Sequence, residues 1–266
     1  MREPILVTGG SGVLGRAVVD RLVAAGHRVR VMSRRPAPAE LRPELEWATA
    51  DLRTGEGVAA AVSGAGVIVH CATSPTGRGS EVEMTRSLVE AARETRSHLV
   101  YVSIVGIDRV PFGYYRQKVA AERVVEDSGV PYTIQRATQF HDLLRVLLAY
   151  AARLPVMVVP DLRFQPIDTQ DVAARLAELA TGDPVGRAPD LGGPEVREMT
   201  DLARVFLSAT GRRRRVVPVR LPGATFRGYR QGGHLAPEHA DGRITFEQYL
   251  AAHPEPATTA YRMPHR

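Results

Sequence analysis

The sequence predicts a doubly wound α/β fold, a parallel sheet covered by helices on both faces, with a smaller C-terminal lobe. Three observations predict it. Short apolar strands alternate with amphipathic helices through the first half of the chain. A glycine-rich turn sits between the first strand and the first helix. Of the 266 residues 44% are hydrophobic and 24% charged, enough apolar side chain to offset the entropy of ordering the chain.

The elements follow in order. Pro4 to Thr8 reads as a buried strand, and Val13 to Ala25 as a helix closed by Gly26. His27 to Met32 is the next strand, followed by a proline-punctuated stretch from Pro36 to Pro43. Leu45 to Thr49 is a third strand, and Gly55 to Gly64 a short helix or turn. Gly66 to His70 is a fourth strand, with a helix from Glu81 to Arg93. His98 to Ile104 is a fifth, Tyr114 to Ser128 a helix, and Tyr132 to Arg136 a sixth strand. Strands alternating with helices at this spacing need crossover connections, and right-handed crossovers produce a parallel, doubly wound sheet. Beyond about Leu154 the rhythm loosens. There the pattern gives a strand over Val156–Pro160, helices over Thr169–Thr181 and Thr200–Thr210, a strand over Val216–Val219 and a last piece over Thr245–Ala252.

Composition narrows the function classes. No run approaches the ~20 consecutive apolar residues of a transmembrane helix, and no apolar signal region precedes the first strand, so the expectation is a cytoplasmic protein with no membrane partner. The single cysteine, Cys71, ends an apolar strand and reads as a small buried residue rather than a nucleophile. The net charge of +6 invites a nucleic-acid partner. Its strongest basic run, Arg212 to Arg215, reads instead as a solvated turn after a helix, with no accompanying DNA-binding motif. A small-molecule substrate, no specific nucleic acid and a monomer or homodimer are expected.

The turn Thr8-Gly9-Gly10-Ser11-Gly12-Val13-Leu14-Gly15 satisfies G-x-G-x-x-G and G-x-x-G-x-x-G together. A strand must turn sharply there, its backbone must approach a pyrophosphate, and the helix must pack tightly on the sheet; glycine permits each by lacking a Cβ. The helix N-terminus offers amide donors and a positive dipole end to phosphate. In this strand–turn–helix setting the motif reads as a Rossmann-type dinucleotide site built from Gly9, Ser11, Gly12, Val13, Leu14 and Gly15. At the end of the second strand stand Ser33-Arg34-Arg35, where an NAD(H) site would carry a carboxylate. A guanidinium and a hydroxyl suit a 2′-phosphate, which favours NADP(H) over NAD(H) through Ser33 and Arg34. On this reading residues 1–155 form the dinucleotide-binding domain and residues 156–266 a smaller substrate-binding lobe, partly interleaved with it.

The glycine turn, Ser33-Arg34, Asp51-Leu52, Tyr114-Tyr115-Arg116-Gln117-Lys118 and Arg136 to His141 together resemble the atypical short-chain dehydrogenases/reductases of the NmrA-like NAD(P)-binding family. The resemblance runs from the first strand through Gln165-Pro166-Ile167-Asp168 to near Leu250. It implies that Asp51 and Leu52 lie beside the adenine and that Ala72 and Thr73 line the cofactor. It further implies that Lys118 holds the nicotinamide ribose and lowers the pKa of the Tyr114 phenol, that Tyr114 donates a proton as hydride arrives, and that Ser103 orients the substrate oxygen. Tyr114 and Lys118 are four residues apart, so both fall on one helix face; Tyr115 is the other phenol that this stretch offers to a pocket. Gln139 and His141 follow the sixth strand, where substrate is expected, and the resemblance implies that they contact it. His234 and His239 receive no role.

These residues suit an NADP(H)-dependent oxidoreductase that reduces a small carbonyl, quinone or enone. They also suit a non-catalytic NADP(H)-sensing regulatory protein. An NAD-dependent nucleotide-sugar epimerase-like enzyme is a third reading, against which Arg34 argues. The C-terminal lobe offers Arg220, Thr225, Arg227, Tyr229 and Arg230 as polar groups, with no recognisable chemistry among them.

Overall fold

The computed structural model describes residues 3–74 and 80–254. Its elements are β1 (Ile5–Thr8), α1 (Val13–Ala24), β2 (Val29–Ser33), β3 (Leu45–Thr49), α2 (Val58–Val62), β4 (Val67–His70), α3 (Ser80–Thr95), β5 (His98–Ile104), α4 (Gly113–Glu126) and β6 (Tyr132–Ala137). There follow α5 (His141–Ala151), β7 (Val156–Pro160), β8 (Arg163–Phe164), α6 (Thr169–Thr181), β9 (Gly186–Arg187), β10 (Arg197–Glu198), α7 (Met199–Ala209), β11 (Arg215–Val219), α8 (Ala224–Arg230) and α9 (Phe246–Ala252).

Among the described residues, seven strands form one sheet in the order β3-β2-β1-β4-β5-β6-β9. The ladders β1–β2, β2–β3, β1–β4, β4–β5 and β6–β9 are parallel, and helices make the crossovers except between β2 and β3, which residues 34–44 join without one. Chain order reverses between β1 and β4. That is the switch point at which an open α/β sheet leaves a crevice outside the carboxyl ends of its strands.

The chain divides into two compact units. The first takes the residues up to Ser103, then Arg116–Arg136 and Ala173–Pro189; the second takes Ile104–Tyr115, Ala137–Val172 and the residues from Asp190 onward. The first unit's core includes Leu6, Ile68, Leu88, Leu99 and Ile134, all shielded from solvent. α1 buries Leu14, Val18 and Leu22, which recur every four residues and so share one face. α1 stops where Gly26 adopts φ +78°: the Gly26 amide donates to Val23 O at 2.9 Å and the His27 amide to Leu22 O at 3.0 Å, a Schellman closure.

The second unit has its own core, with Leu144 and Leu148 of α5, Met157 and Val159 of β7, Phe206 of α7 and Phe246 of α9. β7 and β11 pair in parallel as a separate two-stranded ribbon. Thr245 starts α9 with a capping box: its side chain accepts from the Gln248 amide while the Gln248 side chain accepts from the Thr245 amide.

Candidate cofactor and active site

The glycine turn leaves β1 and enters α1 beneath the loop that follows β4. Gly9 has φ +63°, and a Cβ there would stand 2.8 Å from Ala72 Cα, so this contact between two backbones depends on glycine. At Gly15 a Cβ would run into the Gly9 carbonyl. The Gly12 amide closes the turn on Gly9 O at 2.8 Å. Gly12 is also the N-cap of α1, which has no side-chain cap, so the first-turn amides of Val13 and Leu14 are left for an anion rather than for a serine or aspartate. This cradle fits a diphosphate.

Two of the predicted partners in the first unit, Ser33 and Ala72, meet the turn directly. Ser11 Oγ and Ser33 Oγ are 3.2 Å apart, which brings the end of β2 to the glycine turn; Arg34 follows and is exposed. Asp51 accepts the Arg53 amide on Oδ1 at 2.8 Å and so braces its own turn, while Leu52 is buried. The Ala72 amide donates to Thr8 Oγ1 at 3.3 Å, and the same hydroxyl is hydrogen-bonded to His70 Nδ1 at 2.6 Å. Burial drives His70 down to about 4, so the ring is neutral near pH 7. Cys71 is the next residue, and burial pushes its thiol up to about 12, well outside the thiolate range.

Glu81, at the start of α3, is a residue that the sequence reading did not assign. It is 1% exposed. Its carboxylate accepts Lys118 Nζ at 3.0 Å, Thr73 Oγ1 at 3.0 Å, the Ser74 amide at 2.9 Å and the Tyr101 hydroxyl at 3.4 Å. Burial alone would raise this carboxyl, but the Lys118 charge and the hydrogen bonds outweigh it and hold it below the ordinary carboxylate range. Lys118, itself buried, also donates to Val102 O at 2.8 Å and lies 4.2 Å from the Tyr101 ring centroid. One carboxylate thus connects Thr73, from the loop after β4, to the lysine of Y-x-x-x-K. The sequence signal was weak: an acidic residue in a first helical turn ordinarily serves the helix dipole in solvent. Ser103, near the end of β5, is buried, and its hydroxyl has no hydrogen-bond partner among the described residues.

In the second unit Tyr114 is half-buried in the first turn of α4, its ring 6.5 Å from that of Tyr115. Tyr115 is buried and accepts the Tyr229 hydroxyl at 3.0 Å; burial raises its phenol above the ordinary value. Gln139, also buried, borders the Tyr115 hydroxyl. His141 is fully buried beside the stacked rings of Phe246 and Tyr249, at 5.5 and 5.2 Å, with Nε2 bonded to Ile244 O at 3.0 Å. His234 holds Arg163 O through Nε2 at 2.8 Å, its ring edge-on to Tyr229 at 4.6 Å.

Comparison with known proteins agrees with the cradle. Residues 9–182 match a family described as NAD(P)H-binding. A 3-beta-hydroxysteroid dehydrogenase of Mycolicibacterium neoaurum is 32% identical over 52% of this chain and 38% of its own length. A (4-alkanoyl-5-oxo-2,5-dihydrofuran-3-yl)methyl phosphate reductase of Streptomyces griseus is 32% identical over 76% of this chain and 73% of its own. The chain therefore spans well under half of the first relative and most of the second. In fold, it superposes on an NADPH-dependent quinone oxidoreductase of Escherichia coli with a TM-score of 0.80, covering 93% of this chain and 99% of that one at 19% identity. A nucleoside-diphosphate-sugar epimerase of Staphylococcus aureus gives 0.78 over 93% and 99%, also at 19% identity. A glycine cradle at the switch point of a parallel sheet, a family match that starts inside that cradle and relatives named as a dehydrogenase and a reductase lead to one assignment: the chain belongs to the NAD(P)H-binding family.

Proposed function

We propose that the protein is an NADPH-dependent reductase of a small carbonyl, quinone or enone. The observation that carries this reading is the buried Lys118 ammonium, bonded to Val102 O one residue before the unpartnered Ser103 hydroxyl and tied through Glu81 to Thr73. The amides at the start of α1 bind the diphosphate, and Ser33 with Arg34 takes the 2′-phosphate, where a carboxylate would have selected the bare ribose. The bound cofactor supplies the hydride. Ser103 donates to the substrate oxygen and so polarises it. As hydride adds to the electrophilic carbon, the carbonyl electron pair moves to oxygen and the Tyr114 phenol gives it a proton; solvent later reprotonates the phenolate. Lys118 stabilises that phenolate by its charge. Gln139 and His141 are proposed to stand on the substrate side. The Streptomyces relative supports the acceptor class, since its name describes a conjugated furanone.

Two measurements test the proposal. Arg34→Ala should raise the NADPH dissociation constant roughly ten- to a hundredfold, as expected for loss of a charge-assisted hydrogen bond, and leave NADH binding unchanged. Equal weakening for both cofactors, read by calorimetry, would remove the NADP assignment. Tyr114→Phe should keep NADPH affinity and lose about 10²–10⁴ in kcat against a quinone and carbonyl panel. Wild-type protein that binds NADPH and turns over nothing in that panel would instead favour the sensor reading.

A further inference from the structure

A second surface lies in the second unit, on residues the cofactor chemistry does not use. The last turn of α7 closes with the Gly211 amide on Ser208 O at 3.2 Å and the Arg212 amide on Leu207 O at 2.9 Å, with Gly211 at φ +65°. This closure delivers Arg212 to Arg215 into an open concavity of about 550 Å³ shared with Pro155, Arg204 and Ser208. Arg204 is neutralised by Asp201 at 2.7 Å; among the described residues no acidic side chain lines the concavity. Arg153 lies two residues before Pro155, its guanidinium 4.4 Å from the centroid of the Tyr150 ring.

The β7–β11 ribbon begins at that concavity, with Val156 paired to Arg215 and Val158 to Val217. One face packs Met157 and Val159 into the core, so the alternation turns Val156 and Val158 outward, 41% and 47% exposed. Leu154 is 56% exposed, and Tyr150 and Val219 are exposed as well. Of the seven large hydrophobic side chains exposed among the described residues, these are five. From sequence the arginine run reads as a solvated turn after a helix, with no DNA-binding motif beside it.

We propose that this ribbon and its arginine collar form a docking surface for an anionic bilayer, with the guanidiniums on lipid phosphates and the valines, Leu154 and Tyr150 at the headgroup–acyl boundary. Charge complementarity picks this occupant. A second copy would bring like-charged collars together, which is unfavourable. A protein partner is anchored by large side chains entering apolar pockets, whereas the concavity here is walled mainly by guanidiniums and the apolar groups project outward. Arginine stems beside exposed aliphatic side chains are the pattern of interfacial binding. The inference does not depend on the reductase assignment.

Vesicle co-sedimentation tests it, with the full chain and vesicles of equal parts phosphatidylglycerol and phosphatidylcholine against phosphatidylcholine alone. The expected result is partition to the anionic vesicles that weakens as salt rises. Arg213→Gln with Arg214→Gln should lower the partition coefficient by roughly fivefold per arginine. Val156→Ser with Val158→Ser should lower it without changing the salt dependence. NADPH affinity and melting temperature, measured in parallel, should stay at wild-type values and so report folding. No sedimentation, equal binding to neutral vesicles, or unchanged binding in both double variants overturns the proposal. So does tighter binding to a DNA duplex or to polyglutamate than to vesicles, or a dimer that dissociates on the valine substitutions.

Discussion

Glu81 shows how much one buried side chain can determine. Its negative charge at 3.0 Å from Lys118 Nζ offsets the cost of taking both ions out of water, and neither is exposed enough for solvent to replace the other. Removing the charge while keeping the shape is therefore informative. Glu81→Gln leaves a buried ammonium without its counter-ion, a loss of about 3–5 kcal/mol in stability measured by denaturant titration. If Lys118 is the group that stabilises the Tyr114 phenolate, the alkaline limb of the pH–rate profile should also move to lower pH, because burial without a partner disfavours the charged lysine. Glu81→Asp should restore part of both. A destabilised variant with an unmoved alkaline limb would make Glu81 structural only. The sequence could not have shown this pair, since residues 81 and 118 meet only once α3 and α4 are folded onto β4 and β5.

At the scale of elements, legibility followed periodicity. β1 to β6 and the helices between them were readable because apolar runs and amphipathic stretches alternate at the spacing of crossover units, and their ends moved by at most three residues. The glycine turn was readable because it demands residues without side chains. What escaped were elements whose signal is tertiary. α5 carries Leu144 and Leu148 at helical spacing, yet its first residues read as a pocket mouth. β8, β9 and β10 are two residues each, too short for any pattern to show. Ser103 and Gln139 were legible as strand-end residues, whereas nothing in sequence showed His141 beside Phe246 and Tyr249 more than a hundred positions away. The turn itself yields a paired prediction. Gly15→Ala drives a methyl into the Gly9 carbonyl, backbone against backbone, and should cost roughly 1–3 kcal/mol while abolishing NADPH binding. Gly26→Ala, at the other end of the same helix, meets nothing within 4 Å but has φ +78°; it should cost about 1–2 kcal/mol from backbone strain with NADPH affinity intact. Denaturation midpoints and calorimetry on the two variants check this, and equal loss of cofactor binding in both would mean that α1 acts only as a unit.

At the scale of the whole molecule, each unit keeps a neutral histidine at its centre, which makes stability depend on pH. His70 faces Thr8, Tyr101, Glu81 and Lys118; His234 faces Tyr229, Phe164, Arg109 and Arg163. Burial lowers each from 6.5 to about 4, Lys118 adding to the effect at His70 and the two arginines at His234, and it lowers His98 and His141 in the same direction. An unfolded chain protonates these rings near pH 6.5, the folded chain only near 4. Between those values the unfolded state therefore binds more protons, so stability rises with pH across the window and is complete above 6.5. Each of the two deep rings contributes up to about 1.4 kcal/mol per pH unit, or roughly 3 kcal/mol over the window. Melting temperature should accordingly be level from pH 7 to 8 and fall steeply from 6.5 toward 4. The carboxylate at Glu81 adds to the fall only at the acid end, because its own folded value lies below the ordinary carboxylate range. His234→Asn should flatten the slope by about one proton's worth while leaving the cofactor cradle untouched. A wild-type melting temperature that is level between pH 6.5 and 4.5, or imidazole resonances of the folded protein that titrate near 6.5, would show these rings to be solvated and the enclosure of His70 and His234 to be looser than their packing indicates.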